Sequence, residues 1–322
     1  MSEQPKVLVY ANSLFAWPCI EALQQSGQLV GVITPDPQER NLAKPALMLL
    51  MQTLTSQGIP FEVVCKDKLS LIPTHLPHFN ADVALCLGFS YLLPTPVLDH
   101  YLQGVYNCHA SALPSYAGKD PIYWQLREQH PHSALTWQRM NERYDSGAII
   151  SSHPMLISSE DTYASLTQRF AFLALQSLPS LFTEINTHLP QQDLQPLTVT
   201  YTDQPPDFIH LDLQAFDAEQ LDALTRAHNG HFGRCLLSIK GMDVELIQVS
   251  VVDYPTYGTR AGTVVMVSQT QGLIVATKKG CMRVDIVSCE LGTLSGERLA
   301  QLINLDAGEL LSHPPHQLQQ HL

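Results

Sequence analysis

Asn107 and His109 stand two residues apart in the run Tyr106-Asn107-Cys108-His109. On a strand, residues at that spacing face the same side. An Asn amide can offer an N–H to a developing oxyanion, and a His can handle a proton near neutral pH. Downstream, Asp145 lies in Tyr144-Asp145-Ser146-Gly147, a glycine-bearing loop between two apolar runs. A carboxylate there could reach a His in the same crevice and orient it. The residue types alone leave capping and solvated roles open for all three. Cys108, between Asn107 and His109, should point to the opposite face and is read as core.

The elements that must position these residues follow from apolar runs. Residues 6–10, 29–34, 61–65, 81–87 and 104–108 read as short strands, and 17–25, 43–57 and 163–185 as helices. Pro18 suits a first helical turn, and Asp161 or Thr162 a cap. Near-continuous apolar strands between helices indicate a parallel sheet covered on both faces. Asn107 and His109 then fall at the C-terminal end of a strand, where open α/β sheets place their ligands. We read 1–188 as a doubly wound, mostly parallel, Rossmann-like α/β domain. The Pro-, Gln- and Thr-rich stretch 189–206 is the expected linker. Beyond it, 207–322 carries a helix at 218–228, strands at 234–239, 244–252, 263–268, 273–277 and 282–289, and a closing helix at 297–304. Short strands at that spacing suggest a small C-terminal β-barrel, OB-like in kind. The tail 313–322 is expected to fray.

The pattern Asn107-x-His109-x-Ser111-x-Leu113-Pro114-x-Tyr116-x-Gly118, then Pro121-Ile122 and Asp145-x-Gly147, resembles the folate-dependent formyltransferase family. That family includes methionyl-tRNA formyltransferase, glycinamide ribonucleotide formyltransferase and sugar-amine N-formyltransferases. Ala81-Asp82-Val83 and Gly88 through Pro94 look like its strand and folate-facing loop. Thr225-Arg226-Ala227, Ala261 to Val264 and Gly272 to Val275 are similar to the C-terminal domain of the tRNA enzyme, so the resemblance covers nearly the whole chain. It implies transfer of a formyl group from 10-formyltetrahydrofolate to an amine. Asn107 would donate to the oxyanion, His109 would stabilise it and help move protons, and Asp145 would orient His109 or a water and relay the amine proton. The folate would lie against Leu87, Gly88, Phe89, Leu92, Leu93, Arg143 and Tyr144, mostly through main chain. The acceptor is expected near Asn12, Ser13, Tyr116 and Lys119.

The departures concern the acceptor. Family members often read Tyr-Arg-Gly where this chain has Tyr116-Ala117-Gly118, and small residues where it has Lys119-Asp120. The loop Ala11 to Leu14 lacks the glycine-rich phosphate cradle expected of a glycinamide ribonucleotide enzyme. Residues 35–44, where tRNA enzymes carry a basic, glycine-containing insertion, hold no Gly and balance two acids with two bases. From residue 206 onward there are eight Lys/Arg against thirteen Asp/Glu. Phosphate-gripping domains gain affinity through cations, so tRNA is a possible but not a favoured partner. A small-molecule amine, such as an amino sugar or specialised amino acid, is the favoured acceptor. Hydrolysis of the donor and a non-catalytic folate-binding role stand as alternatives.

The bulk numbers agree with an ordinary globular enzyme. The 322 residues suit two domains, and a formal charge of −12 argues against a broad grip on nucleic acid. No apolar stretch is long enough to span a bilayer, and the opening MSEQPKVLVYA shows no secretory pattern, so no membrane partner and a cytoplasmic location are expected. Seven scattered cysteines without a CxxC pair read as reduced core thiols. The pairs His75/His78 and His228/His231 lack a third ligand nearby and read as surface or cap histidines, with no metal expected. Trp124 reads as packing, while Phe15 and Trp17 could serve either core or acceptor pocket. The glycine-flanked run 292–296 lacks the Lys-Ser/Thr ending of a phosphate loop.

Overall fold

The apolar runs that lack alternation form the centre of a sheet. In the computed structural model the described residues are 4–39, 44–75, 79–187, 200–201, 205–228, 233–256 and 258–311. The expected linker lies largely outside them, as do Arg40, His78, His231 and the tail from 313. Contacts divide the chain into two units: Met1–Pro121, His132–Leu156 and Leu166–Thr202 form one, and Ile122–Pro131, Ile157–Ser165 and Asp203–Leu322 form the other.

The first unit carries β1 (Val7–Ala11), α1 (Trp17–Gln25), β2 (Leu29–Pro35), α2 (Lys44–Ser56), β3 (Phe61–Val64), α3 (Ile72–His75), β4 (Val83–Leu87), α4 (Thr95–Leu98), β5 (Val105–His109) and β6 (Ala117–Gly118). Past α5 (Pro121–Arg127), which from Ile122 onward belongs to the second unit, come β7 (His132–Arg139), β8 (Ile149–Leu156), α6 (Tyr163–Asn186) and β9 (Thr200–Tyr201). The main sheet runs in the order β3-β2-β1-β4-β5-β7-β8. The ladders from β3 through β5 are parallel, while β7 is antiparallel to both neighbours. Every residue of β1 and β4 is buried, as strands covered on both faces require. Strand β8 instead alternates exposure along its second half, as an antiparallel edge does.

The strand order reverses between β1 and β4. This is the switch point at which loops from neighbouring strands part and leave a crevice. The loops that follow β1 and β4 meet there: Asn12 Nδ2 donates to Ser90 Oγ at 2.6 Å. One face of the sheet packs Tyr10, Ile33, Cys86 and Val105 with Phe79, Leu93 and Tyr101. Its aromatic pair is held by a 2.7 Å hydrogen bond between the Tyr10 and Tyr101 hydroxyls. Thr162 caps α6, its Oγ1 accepting from Ser165 N–H at 3.2 Å.

The second unit holds β10 (Phe208–His210), α7 (Ala218–His228), β11 (Arg234–Ile239), β12 (Met242–Val252), β13 (Val264–Ser268), β14 (Gly272–Ala276), β15 (Cys281–Cys289), β16 (Gly292–Ser295) and α8 (Gly296–Leu302). Its separate, mostly antiparallel sheet runs β10-β11-β12-β15-β14-β13, with β16 beside β15. Register shifts near Gln248 interrupt the long β12–β15 ladder, and bulges of this kind bend a sheet around its core. That core includes Leu221, Leu237, Leu246, Val275, Val284 and Leu299. His228 departs from the surface-or-cap reading. It is wholly buried, and its ring meets Tyr123 edge-on at 5.7 Å. The reason is helical spacing: Leu221, Leu224, Thr225 and His228 share the buried stripe of α7. Burial lowers the His228 imidazole to about 4. No described helix is long and apolar enough to cross a membrane.

Candidate active site

Pairing between β5 and β7 assembles the site. Its register sets Asn107 opposite Gln138, Cys108 opposite Trp137, and His109 opposite Thr136. Since side chains alternate, Asn107, His109, Thr136 and Gln138 share one face. Cys108 and Trp137 take the other, where Trp137 Nε1 donates to Ser177 Oγ on α6 at 2.7 Å. Burial holds the Cys108 thiol well above its ordinary range, which suits a core residue and not a nucleophile.

Asp145 reaches this face from the loop between β7 and β8. Its backbone sits at φ 45, a left-handed conformation that Asp tolerates better than most side chains. The loop closes tightly on the end of β7. Arg139 N–H donates to Ala148 carbonyl at 2.9 Å, and a Cβ on Gly147 would lie 1.7 Å from the Arg139 carbonyl oxygen. Position 147 therefore admits only glycine without rearrangement, which is the physical content of the Asp-x-Gly pattern.

The three predicted catalytic residues meet at the Asp145 carboxylate. Oδ1 accepts from Asn107 Nδ2 at 3.2 Å and lies 3.4 Å from His109 Nδ1. Oδ2 accepts the Gly118 N–H at 2.8 Å. A further donor, Gln138 Nε2, reaches Oδ1 at 2.7 Å. The imidazole is clamped at its far end, where Nε2 donates to the Tyr116 carbonyl at 2.9 Å. Ser111 Oγ donates to Ser115 carbonyl at 2.6 Å, and Thr136 Oγ1 donates to Ser111 carbonyl at 2.6 Å, fixing the turn that carries Tyr116. Only 7% of the His109 side chain and 8% of the Asp145 side chain are exposed, so little water screens the pair. An acceptor-only carboxylate, a two-donor amide and an imidazole in one desolvated cluster can stabilise a developing oxyanion and relay a proton.

The remaining predicted residues distribute unevenly. Leu87 and Leu93 are fully buried and can offer a ligand only main chain, while Phe89 and Leu92 are half-buried. Phe89 packs edge-on against Tyr10 and Tyr91. Gly88 has φ 74, and a Cβ there would approach Asn12 Oδ1 at 3.5 Å and the Phe15 ring at 3.7 Å. Asn12 and Phe15 thus border the Gly88 loop. Ser13 is half-buried, just ahead of α1. Arg143 and Tyr144 are exposed beside Asp145. Tyr116 serves His109 through its carbonyl and has a mostly buried ring, whereas Lys119 is exposed.

Sequence reasoning missed Gln138. The sequence shows only that Thr136 and Gln138 stand two apart and so share a face, and the β5–β7 register makes that the Asn107 face. Trp124 is packed, its ring edge-on to Tyr123 and under the Arg127 guanidinium. The run 292–296 is a strand-to-helix turn in which Ser295 Oγ caps α8 by accepting from Arg298 N–H at 3.1 Å.

Residues 6–182 match the family model described as formyl transferase, and 209–296 match that of the formyl transferase C-terminal domain. A methionyl-tRNA formyltransferase of Nitrosomonas eutropha is 26% identical over 296 residues, covering 88% of this chain and 89% of that protein. Another, from Synechococcus, is 27% identical over 188 residues, 54% of this chain and 53% of that protein. Among solved structures, HypX from Aquifex aeolicus in complex with tetrahydrofolic acid gives a TM-score of 0.62 at 10% identity, over 97% of this chain. This chain spans about half of HypX, 51% of its length. The sugar 3N-formyl transferase WlaRD, solved with dTDP and 5-N-formyl-THF, gives a TM-score of 0.60 at 14% identity, covering 87% of this chain and 97% of that one. At these identities the structural likeness is one of fold.

Proposed function

The chain belongs to the formyl transferase family, and from that premise we propose that it moves the formyl group of 10-formyltetrahydrofolate onto the primary amine of a small molecule, an amino sugar or specialised amino acid. The observation that carries the reading is the buried convergence of Asn107 and His109 on the Asp145 carboxylate. Asn107 spends one amide N–H on Asp145 and keeps the other for the oxygen that gains charge as the amine adds to the formyl carbon. Asp145 orients His109 and takes the amine proton. His109, held at both ring nitrogens, stabilises the developing charge and helps move the proton to the folate nitrogen, which is released as its bond to the formyl carbon breaks.

The donor reading rests on the crevice between the β1 and β4 loops. Gly88 exposes backbone there, between Asn12 and Phe15, and the main chain from Leu87 to Leu93 would receive the folate. When bound, the folate supplies the activated formyl group. The shared fold with HypX and WlaRD, both solved with folates, supports this assignment. Formyl chemistry is assigned to 1–188, with 207–322 as a separate C-terminal domain, and its setting to the cytoplasm.

A small acceptor is favoured by charge. Beyond residue 206 acids outnumber bases thirteen to eight. Three of those bases, Arg226, Lys240 and Arg283, already pair with Asp222, Glu309 and Asp285. Methionyl-tRNA is the second reading, favoured by the near full-length similarity to the Nitrosomonas eutropha enzyme.

One assay separates these outcomes. The protein is incubated with 10-formyltetrahydrofolate and amine panels, and tetrahydrofolate release is followed. Amine-dependent release is expected, and Asp145→Asn should reduce it by about a thousandfold or more while tetrahydrofolate still binds. Transfer to charged initiator tRNA alone would select the second reading. Release of formate without any amine would mark a hydrolase. Activity surviving in Asp145→Asn would remove the role given to that carboxylate.

A further inference from the structure

Gln138 makes the shortest hydrogen bond to Asp145, 2.7 Å from Nε2 to Oδ1, and is 2% exposed. Its other end is unsatisfied: Oε1 is buried and has no hydrogen-bond partner among the described residues. Leaving a buried amide oxygen unpaired is costly, and an apolar side chain of similar volume would avoid that cost. What the amide supplies instead is a group with two interchangeable ends. An ionised carboxylate only accepts, so Nε2 must face it. A protonated carboxyl carries an O–H that needs an acceptor, and half a turn of the terminal amide brings Oε1 to that position.

We propose that Gln138 is a positioning residue whose amide orientation tracks the proton on Asp145. The inference rests on the reading above, in which Asp145 receives the amine proton. The proton leaves the amine nitrogen and resides on Asp145 Oδ1, and the new O–H donates to Gln138 Oε1. When the proton passes to the folate nitrogen, whose bond to the formyl carbon breaks as the amine's forms, the amide turns back and Nε2 again donates to the carboxylate. No bond to Gln138 forms or breaks. From β5, Asn107 and the titratable His109 face the same carboxylate, and from β6 the Gly118 N–H does. Beyond Gly118 lie Lys119 and Asp120. On the loop of Asp145 itself, Glu142, Arg143 and Tyr144 are exposed. Arg139 follows Gln138 on β7 and turns to the opposite face, toward Gly104.

The test is an NMR titration of the full chain without donor or acceptor, following the Gln138 side-chain amide and the Asp145 carboxyl carbon. Both should move with one midpoint, and the amide response should vanish in Asp145→Asn. In Gln138→Met, which removes a donor to the ionised carboxylate, the Asp145 midpoint should rise. The acidic limb of the kcat/KM profile should follow it, with kcat lowered about tenfold and donor KM within about twofold. Thermal melting and tetrahydrofolate binding establish that the variant is folded. An amide indifferent to Asp145, or an unmoved Asp145 midpoint in Gln138→Met, overturns the proposal. Coupled titration without formyl transfer would sink the acceptor reading alone, and transfer with uncoupled titration this inference alone.

Discussion

Asp120 sits two residues beyond the Gly118 amide that binds Asp145, at φ 51. Burial pushes its carboxyl up to about 6, against the opposing pull of Lys119. A carboxyl raised in the fold favours the protonated form there, so the folded chain holds its proton longer than the unfolded chain does. Stability from this group is then greatest below the unfolded value near 4 and declines as pH rises to about 6. Asp120→Asn removes the charge and keeps a side chain that tolerates the left-handed backbone. It should raise stability by about 1–2 kcal/mol at pH 7.5 and by almost nothing at pH 4, as calorimetric melts at the two pH values would report. An equal gain at both would show that the charge is not the cause. Asn107, His109 and Asp145 were marked by the Asn-x-His and Asp-x-Gly pattern of the family resemblance, since their types alone leave capping and solvated roles open. Gln138 was not, since a single amide in an apolar strand has no meaning until its partner across the ladder is known.

At the scale of elements, the β7–β8 loop is the part most sensitive to a single methyl group. Gly147→Ala would drive a Cβ into the Arg139 carbonyl, and the loop must lift from β7 to relieve it. Because Asp145 is two residues away, turnover should fall by roughly a hundredfold, the usual consequence of displacing a catalytic group by about an ångström. Stability should drop by about 2–4 kcal/mol in denaturant titrations. Normal turnover in Gly147→Ala would mean that the loop does not position the carboxylate. The long elements were legible: helices read at 17–25 and 218–228 have those bounds in the structure. The strands at 117–118, 200–201, 208–210 and 292–295 were not, because two to four residues carry no readable period. His228 was read as a surface or cap residue because the His228/His231 pair lacks a third ligand nearby, while its place on the α7 stripe decided its burial.

For the whole molecule, a charge of −12 makes ionic strength the discriminating variable. Transfer to a small amine should change less than about threefold in kcat/KM between 50 and 200 mM salt. A reaction that depends on cationic contacts to tRNA phosphates should lose orders of magnitude over the same interval. Parallel measurements with the best amine and with charged initiator tRNA would decide between the readings, and a steep loss for the amine would count against an acceptor held by few charges.

The sequence by itself determined the longer elements and the mostly parallel class of the first sheet, and its family pattern pointed to Asn107, His109 and Asp145. The elements follow from local periodicity, and the pattern from residue types at fixed spacing. Only the tertiary structure decided that Asn107, His109 and Asp145 converge, that Gln138 joins them with an unsatisfied oxygen, and that Gly147 must lack a side chain. Those facts arise from the β5–β7 register and from a loop closing on a strand end. Pairing between distant segments depends on packing across the fold, which no short stretch of residues encodes.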